Sequence, residues 1–287
     1  PLEDLLVHRR EDHSGVDIAA AKLAQLLHGQ FCHGIGGSAD AQSDQGLIGM
    51  SCTNTNPILV PTYGRTAMLG TNPIAFAMPA EPTIYSFDAA TTVVPRGKLE
   101  VYAKRDGVIR DGWALDEAGH PSTDAARVLG NIIGKTGGGI LPLGGAGEET
   151  SGYKGYGFGM LCEICTGILS GGLTSNHVNR TPGRTNICHF FMAVDYSMFG
   201  EKEDLEAGLS KYLEELRNSP KAEGAERIYT HGEKEIFAIA ERMEKGISVN
   251  EKTVAEMRDL ALHLGMDVVS YLGAQALEAK SGKALYK

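Results

Sequence analysis

The sequence predicts an α/β protein with a mixed, largely buried central sheet and helical ends that pack together. Three observations carry this. Short apolar runs of strand length, bounded by turn formers, cluster in the middle of the chain. The 37 glycines concentrate between residues 29 and 183. Both ends carry leucines at helical spacing.

Residues 1–30 read as helix. Leu2, Leu5 and Leu6, then Ile18, Leu23, Leu26 and Leu27 recur on a helical face, with Gly29 as a C-cap. The polar break holds Asp12-His13-Ser14-Gly15-Val16. A histidine beside an acid and a hydroxyl suits proton transfer, but adjacent residues do not face one another on a helix, so an exposed helix start competes with that reading. Gly34, Gly36 and Ala39 match a dinucleotide fingerprint only in spacing, because no convincing strand precedes them. Residues 51–64 read as strand, tight turn, strand and turn, with Thr55 and Asn56 in the turn.

The stretch 68–98 organises the rest. Gly70-Thr71-Asn72-Pro73 is a dense turn signal before the apolar run 74–78, and residues 84–87 form a second strand. Asp88, Ala89, Ala90, Thr91 and Thr92 follow at its end. Ligands of α/β sheets sit outside strand ends, where N–H groups are free and small side chains leave room; a solvated turn is the competing reading. After Lys98 the chain reads as helix, then loop. Gly134-Lys135-Thr136 hints at a phosphate loop, but Leu129 stands where the loop needs glycine.

Tyr153-Lys154-Gly155-Tyr156-Gly157 precedes an apolar segment, 158–169, that reads as a buried helix. A helix N-terminus with a lysine and two glycines suits a pyrophosphate or carboxylate; the plain alternative is a surface lysine. A Schiff-base role for Lys154 would require desolvation, of which nothing local speaks. Cys162 and Cys165 have no second pair or histidine triplet, which favours core cysteines over zinc. Glu163 stands out among apolar neighbours. From Cys188 the pattern gives a strand and an amphipathic helix through Leu205, Leu209, Leu213 and Leu216. A further strand with a terminal turn is expected at 227–233, then two helices separated at Gly246.

Composition sets limits. The length of 287 residues suits one large or two moderate domains. A net charge of −9 argues against nucleic acid. No apolar run reaches the roughly 18 residues a membrane span needs. Five cysteines without a regular framework fit a reducing cytoplasm, and no signal-peptide pattern opens the sequence.

Three ordered motifs, GTNPIAFAMP, FDAATTVVPRGK and YKGYGFGMLCEICTGILSGG, together resemble the type 2 malate/L-lactate dehydrogenase family. The resemblance implies a non-Rossmann NAD(P)-binding α/β domain over 31–235. A helical part is built from residues 1–30 and 236–287. It implies hydride transfer between NAD or NADP and a small 2-hydroxy or 2-oxo acid of malate or lactate type, in a homodimer. His33 matches the family's acid/base histidine, with His13 assisting it or taking its place and Ser14 beside His13. Thr55, Asp88, Ala89, Ala90, Thr91, Thr92, Lys154, Gly155, Gly232 and Glu233 match positions that hold the cofactor. The sequence departs from the family in three places: His13-Ser14 is inverted, Ile18 stands in place of a carboxylate-binding arginine, and His231 replaces a proline. The first two departures, together with the short N-terminal half, raise the alternative of a cofactor-binding relative without turnover. A lysine-dependent aldolase or lyase built on Lys154 is a third reading.

Overall fold

The computed structural model describes residues 40, 43, 45–105, 107–179 and 186–279. Its main sheet has four strands: β1 (Ile48–Thr53), β2 (Ile74–Met78), β3 (Tyr85–Ala89) and β6 (His189–Val194), in the order β3-β2-β1-β6. Every adjacent pair is antiparallel. The α/β class therefore holds, while the mixed character expected of the sheet is confined to isolated parallel bridges, Leu59 to Ile140 and Thr66 to Gly138. The runs 74–78 and 84–87 form strands as expected, the second starting one residue later and ending two later. Ala75 and Ala77 of β2 are fully buried, so small side chains let the next layer approach the sheet centre.

A second layer follows in sequence. Helix α1 (Arg96–Lys104) leads through β4 (Ala114–Leu115) to α2 (Ala125–Gly134), and then to β5 (Gly139–Ile140), which pairs with β4. Asp124 caps α2 by accepting the Arg127 N–H, and Lys135 closes it in the left-handed region at φ 54°. Gly134-Lys135-Thr136 is thus a helix C-terminus. Leu99, Val128, Leu129 and Ile140 form the centre of the largest apolar cluster among the described residues.

Helix α3 (Gly152–Glu163) runs on into a π-helical turn (Ile164–Ile168). The expected buried helix is buried on one face only. Gly155, Gly159, Cys162, Thr166 and Gly167 face the protein, whereas Leu161 is 53% and Leu169 70% exposed. Its small residues pack backbone to backbone and its large apolar ones point outward. Cys162 is buried and Cys165 half-buried, both as free thiols, in keeping with core cysteines.

After β6 come α4 (Lys202–Asn218), α5 (Glu233–Lys245), α6 (Glu251–His263) and α7 (Val268–Leu272). The expected strand at 227–231 does not form. The Thr230 N–H goes to the Glu233 carboxylate rather than to a neighbouring strand, and only the His231 carbonyl meets β3. Helix α5 runs unbroken through the domain boundary expected at 235/236. Among the described residues, no helix is long and apolar enough to cross a membrane.

Candidate active site

Among the described residues β3 is an edge strand, and its outer side is where two distant parts of the chain meet. The Ser86 N–H donates to the His231 carbonyl at 3.3 Å, and the Ser86 hydroxyl donates to Asp40 at 2.6 Å. The His231 ring lies edge-on to Tyr85 and Phe87, with centroids 5.5 and 5.3 Å away. Gly232 has φ 96°, and a Cβ there would fall 3.2 Å from the Ser86 Cβ, so glycine is required for this approach. The result is a groove of about 770 Å³ lined by Ser86, Asp88, His231, Gly232, Lys234 and Arg227, among others. That volume is in the range of small-molecule sites. A larger groove, about 1110 Å³, runs between α4 and Pro82 and shares Arg227 with it. It contains no strand-end residue, so its size alone does not make it the site.

Glu233 opens α5 yet is buried. One carboxylate oxygen accepts from Arg217 at 3.2 Å and Arg227 at 3.0 Å, and the other takes the Thr230 N–H at 2.8 Å. Burial pushes this carboxyl up, but the Thr230 N–H and the two guanidinium groups outweigh it and hold it below the usual glutamate range. The carboxylate ties the turn 230–233 to α4 and so fixes the wall of the β3 groove.

A second polar centre lies past the end of β3. The Thr71 N–H donates to the Thr55 hydroxyl at 3.0 Å, and the Thr91 hydroxyl donates to the Thr71 carbonyl at 2.9 Å. Thr92 is buried and donates its hydroxyl to Val94, while half-buried Ala89 ends β3 opposite Ile74 and Ala90 follows, also half-buried. Asn72, read from sequence only as part of a turn, is fully buried and bonded to Glu163, 91 residues on.

The first turn of α3 joins this centre through Leu143, whose N–H donates to the Thr91 carbonyl at 2.8 Å. A Cβ on Gly155 would fall 2.3 Å from the Leu143 carbonyl oxygen. Gly155→Ala must therefore push α3 away from the 141–143 segment. It is expected to destabilise the fold by about 1–3 kcal/mol, which thermal unfolding measures. Lys154 itself is exposed, with its ammonium over the Tyr153 ring, and does not line the β3 groove.

The structure thus brings Asp88, Gly232 and the turn around Glu233 to one groove. It joins Thr55, Thr91 and Gly155 in one chain of contacts and leaves Lys154 on the surface beside that chain. His13, Ser14 and His33 lie outside the described residues. The sequence profile of the malate/L-lactate dehydrogenase family matches residues 29–258.

The chain belongs to the malate/L-lactate dehydrogenase family.

The malate dehydrogenase of Pyrococcus horikoshii is 40% identical over 226 residues, which are 78% of this chain and 61% of that protein. The L-sulfolactate dehydrogenase of Methanocaldococcus jannaschii is 30% identical over 271 residues, 93% of this chain and 72% of that one. The crystal structure of malate dehydrogenase from Entamoeba histolytica superimposes with a TM-score of 0.76 at 30% identity, covering 81% of this chain and 65% of that chain. The chain spans about three-fifths of the length of its Pyrococcus relative.

The match to the malate/L-lactate dehydrogenase family includes His33 and every residue expected to hold the cofactor, while His13 and Ser14 precede it. Sequence reading missed Asp40, Arg227 and Lys234 in the groove, none of which carries a motif. It also missed the partner of Glu163, although a lone carboxylate in an apolar helix signals that a partner must exist.

Proposed function

We propose that this chain is an NAD(P)-dependent oxidoreductase that interconverts a small 2-oxo acid and the corresponding 2-hydroxy acid. The observation that carries this reading is the β3 groove, where Asp88 at the strand end faces the His231-Gly232 turn. The donor set fits a dinucleotide. The Asp88 carboxylate suits ribose hydroxyls or a carboxamide, Lys234 adds positive charge, and a volume of about 770 Å³ holds part of such a ligand.

When bound, the nicotinamide supplies or takes up the hydride; the chain does the rest. Asp88, Ala89, Ala90, Thr91 and Thr92 would hold the cofactor with Thr55, Gly232 and the Lys154-Gly155 turn. Glu233 would brace the Gly232 wall. During reduction His33 would donate a proton to the carbonyl oxygen of the 2-oxo acid, and during oxidation its imidazole would take that proton back. His13 and Ser14 would assist. Malate, lactate and sulfolactate types are the substrates weighed first.

In this reading residues 31–235 hold the cofactor, and 236–287 pack on 1–30. Exposed apolar residues on α5 and α6, among them Met243, Leu260 and Leu262, support such packing. The outward apolar face of α3 and of the turn that follows it, with Leu161, Ile164, Ile168 and Leu169, supports a homodimer. A second reading, cofactor binding without turnover, is favoured by Ile18 and by the inverted His13-Ser14 pair.

The test is oxidation of NADH and NADPH with oxaloacetate, pyruvate, 2-oxoglutarate and 3-sulfopyruvate, beside His33→Ala and His13→Ala. Turnover that disappears in His33→Ala while NADH binding persists upholds the reading. Binding without turnover of any acid favours the second one.

A further inference from the structure

The buried carboxylate of Glu163 is the one strongly polar group on the inner face of α3, and its surroundings are specific. Glu163 is 4% exposed, while Asn72 and Ser175 are fully buried. Glu163 Oε1 accepts from Asn72 Nδ2 at 2.7 Å, and Oε2 accepts the Ser175 N–H at 3.0 Å. Asn72 Nδ2 also donates to the Gly159 carbonyl at 3.1 Å. Its Oδ1 accepts the Thr55 N–H at 3.2 Å and the Ser175 hydroxyl at 3.3 Å. Both donors and both lone pairs of the Asn72 amide are thereby used.

We infer that Glu163 is a positioning residue for the site: through the Asn72 amide it sets the Thr55, Thr71 and Thr91 cluster. This rests on the reading of Thr55 and Thr91 as groups that hold the cofactor. The reason is the orientation of an amide. Asn72 can present its oxygen to Thr55 only if its nitrogen points at Glu163, and only a side chain with two acceptor oxygens can serve both Asn72 Nδ2 and the Ser175 N–H. Thr55 in turn accepts the Thr71 N–H, and Thr71 accepts from both the N–H and the hydroxyl of Thr91. Asn72 sits at φ 38°, and a Cβ on Gly70 would fall 2.0 Å from the Thr55 hydroxyl. The turn therefore has little freedom to absorb a change by shifting as a unit.

Glu163→Gln keeps the volume but loses one acceptor. The new NH₂ must face either the Ser175 N–H or the Asn72 NH₂. If Asn72 flips to relieve the second clash, its own NH₂ turns onto the Thr55 N–H. The double variant Asn72→Asp with Glu163→Gln restores a donor facing an acceptor across the pair and keeps an oxygen for Thr55; the Gly159 carbonyl loses its donor and faces a carboxylate oxygen, so the recovery is incomplete.

The experiment compares the full chain, Glu163→Gln and the double variant well below their unfolding temperatures. It reads hydrogen exchange at the Thr55 and Thr71 amides and NADH binding by fluorescence. In Glu163→Gln, exchange at both amides is expected to quicken about tenfold or more and the Kd for NADH to rise about tenfold. The double variant is expected to recover part of each. A folded Glu163→Gln with wild-type exchange and wild-type Kd overturns the inference. So does a fall in melting temperature alone, since that marks a purely structural role. Should the unaltered chain bind neither NADH nor NADPH, the cofactor reading fails. Exchange at Thr55 then still upholds the Glu163 linkage if it quickens and overturns it if it does not.

Discussion

Asp88→Ala is expected to weaken NADH binding roughly 10- to 100-fold, the loss that follows when a charge-assisted hydrogen bond of about 1.5–3 kcal/mol is removed. Asp88 pairs with Ala75 through its backbone, and its side chain is exposed at the open edge of the sheet. Removing the exposed carboxylate uncovers no buried surface, and the variant is expected to fold. Asp88→Asn retains an acceptor oxygen and is expected to fall between the two. Fluorescence titration with NADH measures both. A Kd within about threefold of wild type for Asp88→Ala would remove the β3 groove from the cofactor site; threefold is about 0.7 kcal/mol.

Glu233→Ala is expected to cost about 3–5 kcal/mol of folding stability, the penalty for breaking a buried ion pair by removing one partner. The loss has identifiable parts. Arg217, with a side chain only 14% exposed, is left without its carboxylate, and the Thr230 N–H is left without an acceptor. Arg227 is 43% exposed and recovers water, which places its share at the low end. Urea unfolding gives the difference directly.

The same residue fixes a pH dependence. Although burial, the largest single influence, acts in the opposite direction, the Thr230 N–H and both arginines hold the native Glu233 carboxyl below its ordinary value of 4.5. A carboxyl with a lowered native pKa binds its proton more weakly folded than unfolded. Its contribution to stability is therefore complete above about pH 4.5 and is lost as pH falls through the native pKa. Glu233→Gln is expected to be less stable at neutral pH and to lose less on acidification than the unaltered chain. Equal slopes in the two proteins between pH 6 and pH 3, about one unit or more on each side of 4.5, would contradict this.

The parts of the fold that were legible in the sequence are those written in local pattern. The alternation of buried alanines with larger residues across 74–78 fits a strand whatever surrounds it. The two helices expected on either side of Gly246 form as α5 and α6. Antiparallel pairing was not legible, because it depends on which strand ends the intervening layers bring together. The segment 227–231 has strand-like residues, but Glu233 takes the N–H that a strand would have used. The helix after Gly152 looks buried because it is apolar, yet the side that packs is the one made of glycines, since only they allow Leu143 and Thr91 to come close. At the site, Asp88 and Gly232 stood out through family motifs. Asn72 and Glu163 did not, because a buried polar pair 91 residues apart leaves no periodic trace.

The most direct measurement is a titration of the purified chain with NADH and with NADPH, followed by nucleotide fluorescence. The proposed function requires saturable binding of at least one of them in the micromolar range, weakened by Asp88→Ala. No saturable change with either dinucleotide up to about millimolar concentration, a ceiling near −4 kcal/mol, would contradict it.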